Sequence, residues 1–170
     1  MTVASCSTSD FVASQSTVTS TISQKIPENL SLPLLALDIG KKRIGVAVSD
    51  SLGFSFRGIT CLHRNDSAWP KQTLKLIKEY GCHGIVVGLA KNMDGSEGEQ
   101  ADDCRKGAGE LQEATELPIL FQDERLSTWT AKERLFAQGL SEKKVKAKLD
   151  QTAAAVILED FISAHQGLVR

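Results

Sequence analysis

Apolar and polar positions alternate along this chain with two different periods, and the changes of period divide it into elements. Short apolar runs bounded by turn residues predict β-strands at residues 34–39, 44–49, 55–61, 84–89 and 118–122. Longer stretches whose apolar residues recur at helical spacing predict helices at 69–80, 96–114, 128–138 and 149–165. Gly81 and Gly139 are expected to end the first and third helices.

The order of these elements predicts the fold class. Two short connections join the first three strands, which is typical of an antiparallel meander. The run from Gly84 to Leu89 is continuously apolar, as in a parallel strand that is buried on both faces. Ser96 and Glu99 form a capping box that predicts the start of the second helix, and 141–148 is a polar connection before the last helix. The expected fold is α/β, a mixed sheet with three antiparallel strands, then parallel strands, flanked by helices.

Residues 1–30 lack both periods. The segment is rich in Ser and Thr and contains no Arg, so it cannot bury enough apolar surface to fold alone. Two interpretations stay open, a disordered tail and an organellar transit peptide. The folded domain is expected at 31–170, in an intracellular protein that is cytoplasmic, or plastid or mitochondrial if the segment targets an organelle.

Composition excludes several classes of protein. The chain has 170 residues, 41% of them hydrophobic, and a formal net charge of −1, which argues against a general polycation that coats nucleic acid. No apolar run approaches the roughly 20 residues that span a bilayer, so no membrane partner is expected. The four cysteines and three histidines are scattered, which favours free thiols over a disulfide framework and argues against a zinc site or a catalytic triad.

One carboxylate, Asp38, lies inside the first apolar strand. A buried charge costs several kcal/mol unless it is paired or bound to a metal, so this strand is expected to need its Asp. Gly40 and Gly45 follow closely and would let another group approach the backbone. A strand carboxylate beside a basic turn suits a metal ion and a phosphate.

Two further carboxylates lie where they could join Asp38. Glu124, next to Asp123, follows the last strand, and Asp150 is expected to open the last helix beside a run of small residues. Ligands of open α/β sheets gather at the carboxyl ends of the strands. Converging carboxylates without nucleophilic side chains suggest Mg²⁺ or Mn²⁺ and two-metal phosphodiester hydrolysis. The structural alternatives are a helix cap for Asp150 and a solvated loop pair for Asp123 and Glu124.

Basic residues lie in loops next to these carboxylates. The candidates for binding nucleic-acid phosphates are Lys41, Lys42, Arg43, Lys91 and Arg125. Aromatic content is only 5%, so binding is expected to depend on shape and backbone rather than on base stacking. The lysines of 143–148 form either a solvated face or a backbone-binding surface that leads to the site.

Four ordered segments resemble a known family. They are LALDIGKKRIGVAVSD, VVGLAKNMDGSEGEQA, FQDERLSTWTA and LDQTAAAVILEDFI, between residue 34 and about residue 165. The chain resembles the YqgF or RuvX-like family, whose members have an RNase H-like fold and are described as Holliday junction resolvases or as nucleases maturing the 5′ end of small-subunit ribosomal RNA. The resemblance implies Asp38, Glu124 and Asp150 as catalytic and metal-binding residues, and it adds Asn92, in the family's NMDGSE loop, to the nucleic-acid contacts.

The resemblance implies a metal-dependent nuclease acting on structured nucleic acid. Precursor ribosomal RNA is preferred as the substrate, and a four-way DNA junction is the alternative. The protein is expected to be a monomer or a homodimer, and a homodimer would match the symmetry of a junction. Two other classes of protein are alternatives to the nuclease: a catalytically inactive nucleic-acid-binding module, and an actin-like or sugar-kinase-like ATPase. The latter needs two such domains, and one is present here.

Overall fold

The computed structural model describes residues 26–27, 30–90, 98–124 and 127–169. Five strands and four helices follow one another in these ranges. In chain order they are β1 (Leu35–Ile39), β2 (Arg43–Ser49), β3 (Phe56–His63), α1 (Trp69–Tyr80), β4 (Ile85–Leu89), α2 (Glu99–Gln112), β5 (Ile119–Asp123), α3 (Ser127–Ala137) and α4 (Glu142–Ala164). None of the helices within these ranges is long and apolar enough to cross a membrane.

The five strands form one mixed sheet in the order β3-β2-β1-β4-β5. β1, β2 and β3 pair antiparallel, whereas β4 pairs parallel with β1 and with β5. The predicted meander, the parallel strands and the α/β class are therefore confirmed. The predicted first helix also has the observed bounds, and Gly81 ends it in a left-handed conformation.

The sheet has two apolar faces, each covered by different helices. Leu35, Leu37 and Ile39 of β1 belong to a core that includes residues of α1 and α2. Ala36 alternates to the other face, where it packs in a core built mainly with α4. Asp38 is the next residue of that alternation. The carboxylate therefore lies on the face that α4 covers.

Two helix starts differ from the prediction. α2 begins at Glu99 with Gly98 at its N-cap, so the predicted capping box, which needs Ser96 at that position, is wrong. α4 begins at Glu142, seven residues before the predicted start, because Val145 is buried and continues the apolar stripe of the later turns. The predicted polar connection is thus the first part of the helix.

The early segment and one loop are only partly described. Leu30 is buried and pairs with Val169, and Ile26 packs against the same core. Residues 1–25 lie outside the described residues, so the two interpretations of the Ser/Thr-rich segment stay predictions. The NMDGSE loop lies outside the described residues too.

Two glycines allow α4 to lie directly on the sheet. A Cβ atom at Gly45, the residue of β2 that pairs with Asp38, would be 2.0 Å from the backbone oxygen of Asp150. A Cβ at Gly58 of β3 would be 2.8 Å from the backbone oxygen of Gln151. The group that approaches Gly45 is therefore the backbone of α4, and the approach brings Asp150 beside Asp38.

Replacing Gly45 tests this packing. We expect Gly45→Ala to lower the free energy of unfolding by about 3 kcal/mol, because the added methyl group displaces helix backbone from a close-packed contact. Gly109→Ala is the matched control, since a Cβ there meets nothing within 4 Å and should stabilise α2 by roughly 0.5–1 kcal/mol. Urea unfolding of both variants measures the difference, and equal stabilities would contradict the proposed contact.

Candidate active site

Asp38 is the carboxylate around which the candidate site is built. Its position on β1 places it between Gly45 of β2, its paired residue, and β4 on the other side. Burial raises the pKa of Asp38 well above its ordinary value, and the charges of Glu124 and Asp150 raise it further. The structure therefore places all three predicted carboxylates close enough to interact electrostatically.

Glu124 reaches the site from the residue after β5. Its backbone N–H donates to the carbonyl of Leu89 at 3.1 Å, and this bond fixes the end of the strand against β4. A Cβ at Gly88 would be 2.2 Å from Glu124 Oε2, so the side chain lies over the position where β4 has no side chain. Burial raises the pKa of Glu124 to about 7, although a hydrogen bond from the Ser127 hydroxyl favours the charged form.

Asp150 is in the interior of α4, more than a turn past its start. The cap interpretation is therefore wrong, because the orphan N–H groups that a cap satisfies belong to the first turn. Its carboxylate forms an ion pair with Arg43, whose Nε lies 2.8 Å from Oδ2, and the Cys61 thiol donates to the same oxygen at 3.5 Å. Burial and the neighbouring Asp150 together raise the pKa of the Cys61 thiol to about 11, so the thiol stays protonated.

Asp123 faces away from the other carboxylates. It follows the same alternation along β5 as Phe121, which belongs to the core under α1 and α2. The strand period therefore puts Asp123 on the opposite face of the sheet from α4. Glu124, and not its neighbour, is the acidic residue of the pair that approaches Asp38.

The three carboxylates fit a hard divalent cation by chemistry, since all their donors are oxygens and like charges raise the pKa of Asp38. Within the described ranges, however, no three His, Cys, Asp or Glu side chains are grouped closely enough to hold a metal ion. Two of the three carboxylates contact other partners, since Arg43 pairs with Asp150 and the Ser127 hydroxyl donates to Glu124. A shared ion would need Asp150 to turn from Arg43 toward Asp38.

The turn between β1 and β2 carries the predicted basic residues next to these carboxylates. Lys41, Lys42 and Arg43 are exposed, and the turn is closed by the N–H of Gly40, which donates to the carbonyl of Arg43 at 2.9 Å. The other predicted nucleic-acid contacts lie outside the described residues and stay predictions; they are Lys91, Asn92 and Arg125.

Sequence reasoning missed three residues at this site, and it left a fourth, Lys146, with two open interpretations. Ser127 and Cys61 contact the acidic side chains directly, whereas His63 and Lys146 line a groove with the basic turn. The position of Lys146 one turn before Asp150 would have decided its role, had the helix been predicted to begin at 142. Ser127 follows Glu124 by only three residues, so its contact is local. No local signal marked Cys61 and His63, because their contacts join distant parts of the chain.

The comparisons of this chain with a protein-family model and with related proteins point to one family. A protein-family model described as "RuvX: Holliday junction resolvase" matches residues 33–164. A protein of Moorella thermoacetica is 42% identical over 130 residues, which cover 76% of this chain and 93% of that protein. A protein of Bacillus thuringiensis is 37% identical over 134 residues, covering 77% of this chain and 98% of that one. Both carry the name "Putative pre-16S rRNA nuclease".

Solved structures share the fold at low sequence identity. RuvC of Thermus thermophilus, in complex with a Holliday junction substrate, superposes with a TM-score of 0.51 and 16% identity, covering 81% of this chain and 97% of RuvC. The Fowlpox virus resolvase in complex with Holliday junction DNA has a TM-score of 0.50 and 11% identity, covering 78% of this chain and 98% of the resolvase. At these identities the similarity establishes the fold alone.

The raised pKa of Glu124 predicts how stability depends on pH. Between pH 4.5 and about 7 the unfolded chain ionises this group while the folded protein keeps it protonated. The folded protein then binds more protons, so its free energy of unfolding should fall as pH rises through this window, by on the order of 3 kcal/mol. The raised pKa of Asp38 acts in the same direction.

Glu124→Gln removes the part of this pH dependence that Glu124 contributes. In EDTA, the variant should gain stability relative to the unmodified protein as the pH is raised from about 4.5 to about 7, and urea unfolding across that range measures the gain. A stability difference that does not change with pH would show that Glu124 titrates normally, which would contradict its burial beside Asp38.

Proposed function

Because the chain belongs to the RuvX family, also called YqgF, we propose that it is a metal-dependent nuclease that hydrolyses phosphodiester bonds in precursor ribosomal RNA. The observation that carries the proposal is the electrostatic interaction of three carboxylates at one end of the sheet, supplied by β1, by the residue after β5 and by α4. Charges buried together in this way are costly without a cation. The cost is consistent with selection for a reaction rather than for stability.

In the proposed site, Asp38, Glu124 and Asp150 hold Mg²⁺ or Mn²⁺. A bound divalent ion of this kind activates a water molecule and stabilises the leaving oxygen of a phosphodiester. Asp38 is fixed by its strand. Glu124 is oriented by Ser127. Binding of the ion by Asp150 would release Arg43, whose guanidinium could then bind a phosphate in a bidentate manner.

Positively charged side chains around the site would position the substrate. We assign this role to Lys41, Lys42 and Arg43 of the β1–β2 turn, to Lys91 and Arg125 from their positions in the sequence, and to Asn92 from the family resemblance. Such contacts fix the position of the backbone but carry no sequence information. The substrate is therefore expected to be selected by its structure.

Precursor RNA is preferred because the relatives at 37–42% identity are named for it, whereas the junction-bound resolvases are 16% identical or less. The description of the matching family model favours the second candidate, a resolvase of four-way DNA junctions. That candidate would act as a homodimer on a two-fold symmetric substrate. An inactive binding module is the third candidate, and the cleavage assay below distinguishes all three.

Asp38→Asn tests the nuclease directly. The full-length protein is incubated with a labelled ribosomal RNA precursor fragment and, separately, with a labelled four-way DNA junction, in Mg²⁺, in Mn²⁺ and in EDTA. We expect metal-dependent cleavage of the RNA and a loss in the variant that exceeds the roughly 10- to 100-fold effect of removing an outer-shell partner of a metal. The variant should fold, because the substitution removes a buried charge.

Asp50→Asn is the matched control for this experiment. Asp50 lies at the other end of the sheet, in the β2–β3 turn, where its carboxylate accepts hydrogen bonds from the N–H groups of Phe54 and Ser55. Cleavage by this control should equal that of the unmodified protein. Full activity of Asp38→Asn would refute the site, and cleavage of the junction alone would replace the RNA with DNA as the substrate.

Arg43→Gln tests the exchange of partners at Asp150. Arg43 and Asp150 are partly exposed, at 44% and 24%, so their ion pair is worth at most about 1 kcal/mol. Removing the guanidinium should therefore tighten Mn²⁺ binding about two- to fivefold while it slows cleavage. The paramagnetic resonance signal of free Mn²⁺ measures the affinity without reference to activity.

Lys42→Gln provides the comparison. It removes the same charge from the same turn but leaves the Arg43–Asp150 pair in place. Its effect on Mn²⁺ affinity should be clearly smaller than that of Arg43→Gln. Equal effects would mean that the ion senses only the total charge of the turn, and the exchange of partners would then be wrong.

A further inference from the structure

A groove with a basic lining leads away from the three carboxylates. Three separate elements form it, namely the β1–β2 turn, the end of β3 and the early part of α4. The residues that line it are Gly40, Lys41, Lys42, Arg43, His63, Lys146 and Asp150. The chain as a whole has a net charge of −1, so this concentration of cations is local and not a reflection of the composition.

Lys146 belongs to the groove because of the helical register of α4. It lies four residues before Asp150, so the two side chains are on the same face of the helix. Lys144 and Lys148 are each two residues from Lys146, and at 3.6 residues per turn they point to nearly the opposite side. All three lysines are exposed, but only Lys146 lines the groove.

His63 enters the groove from the sheet. It is the last residue of β3 and pairs with Arg43, the first residue of β2. Paired residues of an antiparallel ladder point to the same face, so His63 stands beside Arg43 on the α4 side. The contact between Arg43 and Asp150 makes the groove continuous with the acidic site.

We propose that this groove binds the sugar–phosphate backbone of the substrate strand as it leaves the acidic site, with Lys146 and His63 as contacts additional to those of the turn. The proposal rests on the proposed nuclease function and extends it to the path of the substrate. Among the described residues of its lining are four cations and, apart from His63, no aromatic ring, which suits phosphates and not stacked bases. Binding in the groove is therefore independent of base sequence.

The experiment compares Lys146→Ala with Lys148→Ala in the full-length protein. Binding to a labelled ribosomal RNA precursor fragment is followed by fluorescence anisotropy in EDTA, which prevents cleavage, over a range of salt concentrations. A lost phosphate contact lowers the slope of log affinity against log salt concentration by about one. We expect this decrease for Lys146→Ala and not for Lys148→Ala, although both remove one charge from the same helix.

His63→Ala and a competitor complete the test. His63→Ala should weaken binding of the RNA without affecting the folded state. Equal effects of Lys146→Ala and Lys148→Ala, or no effect of either, would refute the proposal that the groove binds the sugar–phosphate backbone. Competition by polyglutamate as strong as that by a second RNA of unrelated sequence would also overturn it, in favour of an acidic protein partner.

The two proposals can fail separately. If the unmodified protein cleaves neither substrate in Mg²⁺ or Mn²⁺ but the binding differences appear as expected, the nuclease is refuted and the groove stands as a binding surface. If cleavage depends on Asp38 but Lys146 and Lys148 are equivalent in binding, the nuclease stands and the groove is refuted.

Discussion

The burial of Asp38 beside two other carboxylates is the constraint on which the rest of this structure depends. Desolvation and like charge both oppose ionisation there, and neither would arise if the strand carried an apolar residue at that position. The surrounding elements limit the cost in different ways. Ser127 stabilises charge on Glu124, and Arg43 neutralises Asp150. Of the three acidic side chains, Glu124 and Asp150 therefore each have a stabilising partner.

Glycine makes this arrangement possible on the two strands that flank β1. Gly45 admits the backbone of α4, and Gly88 admits the carboxylate of Glu124. The same face carries apolar side chains farther from the site, where Ala36 and Val86 pack with residues of α4. One face of one sheet therefore changes from a packed core to a polar cleft within two residues along each strand, and the absence of a Cβ sets the boundary.

Much of the fold could be predicted from the local sequence pattern, because the signals that mark its strands and helices are short. The apolar runs of the strands, the proline at the start of α1 and the glycine at its end each act within a few residues. The first turns of α4 were missed because Val145 is the only buried residue of 142–148, where the helix is otherwise exposed. Asp38 was recognisable as chemically anomalous from its strand alone. The partners of Asp150 were not, because they come from β2 and β3, far away in the sequence.

The start of α4 at Glu142 bears on the distance between a bound phosphate of the substrate and the bond that is cleaved. Lys146 and Asp150 are on one continuous helix, about 6 Å apart along its axis, and α3 and the sheet pack against this helix. A backbone contact and a metal ligand would then be parts of the same rigid body. The distance between the anchored phosphate and the cleaved bond would be set by helix geometry and not by the conformation of a loop. Loops could differ in length without moving the cleavage position.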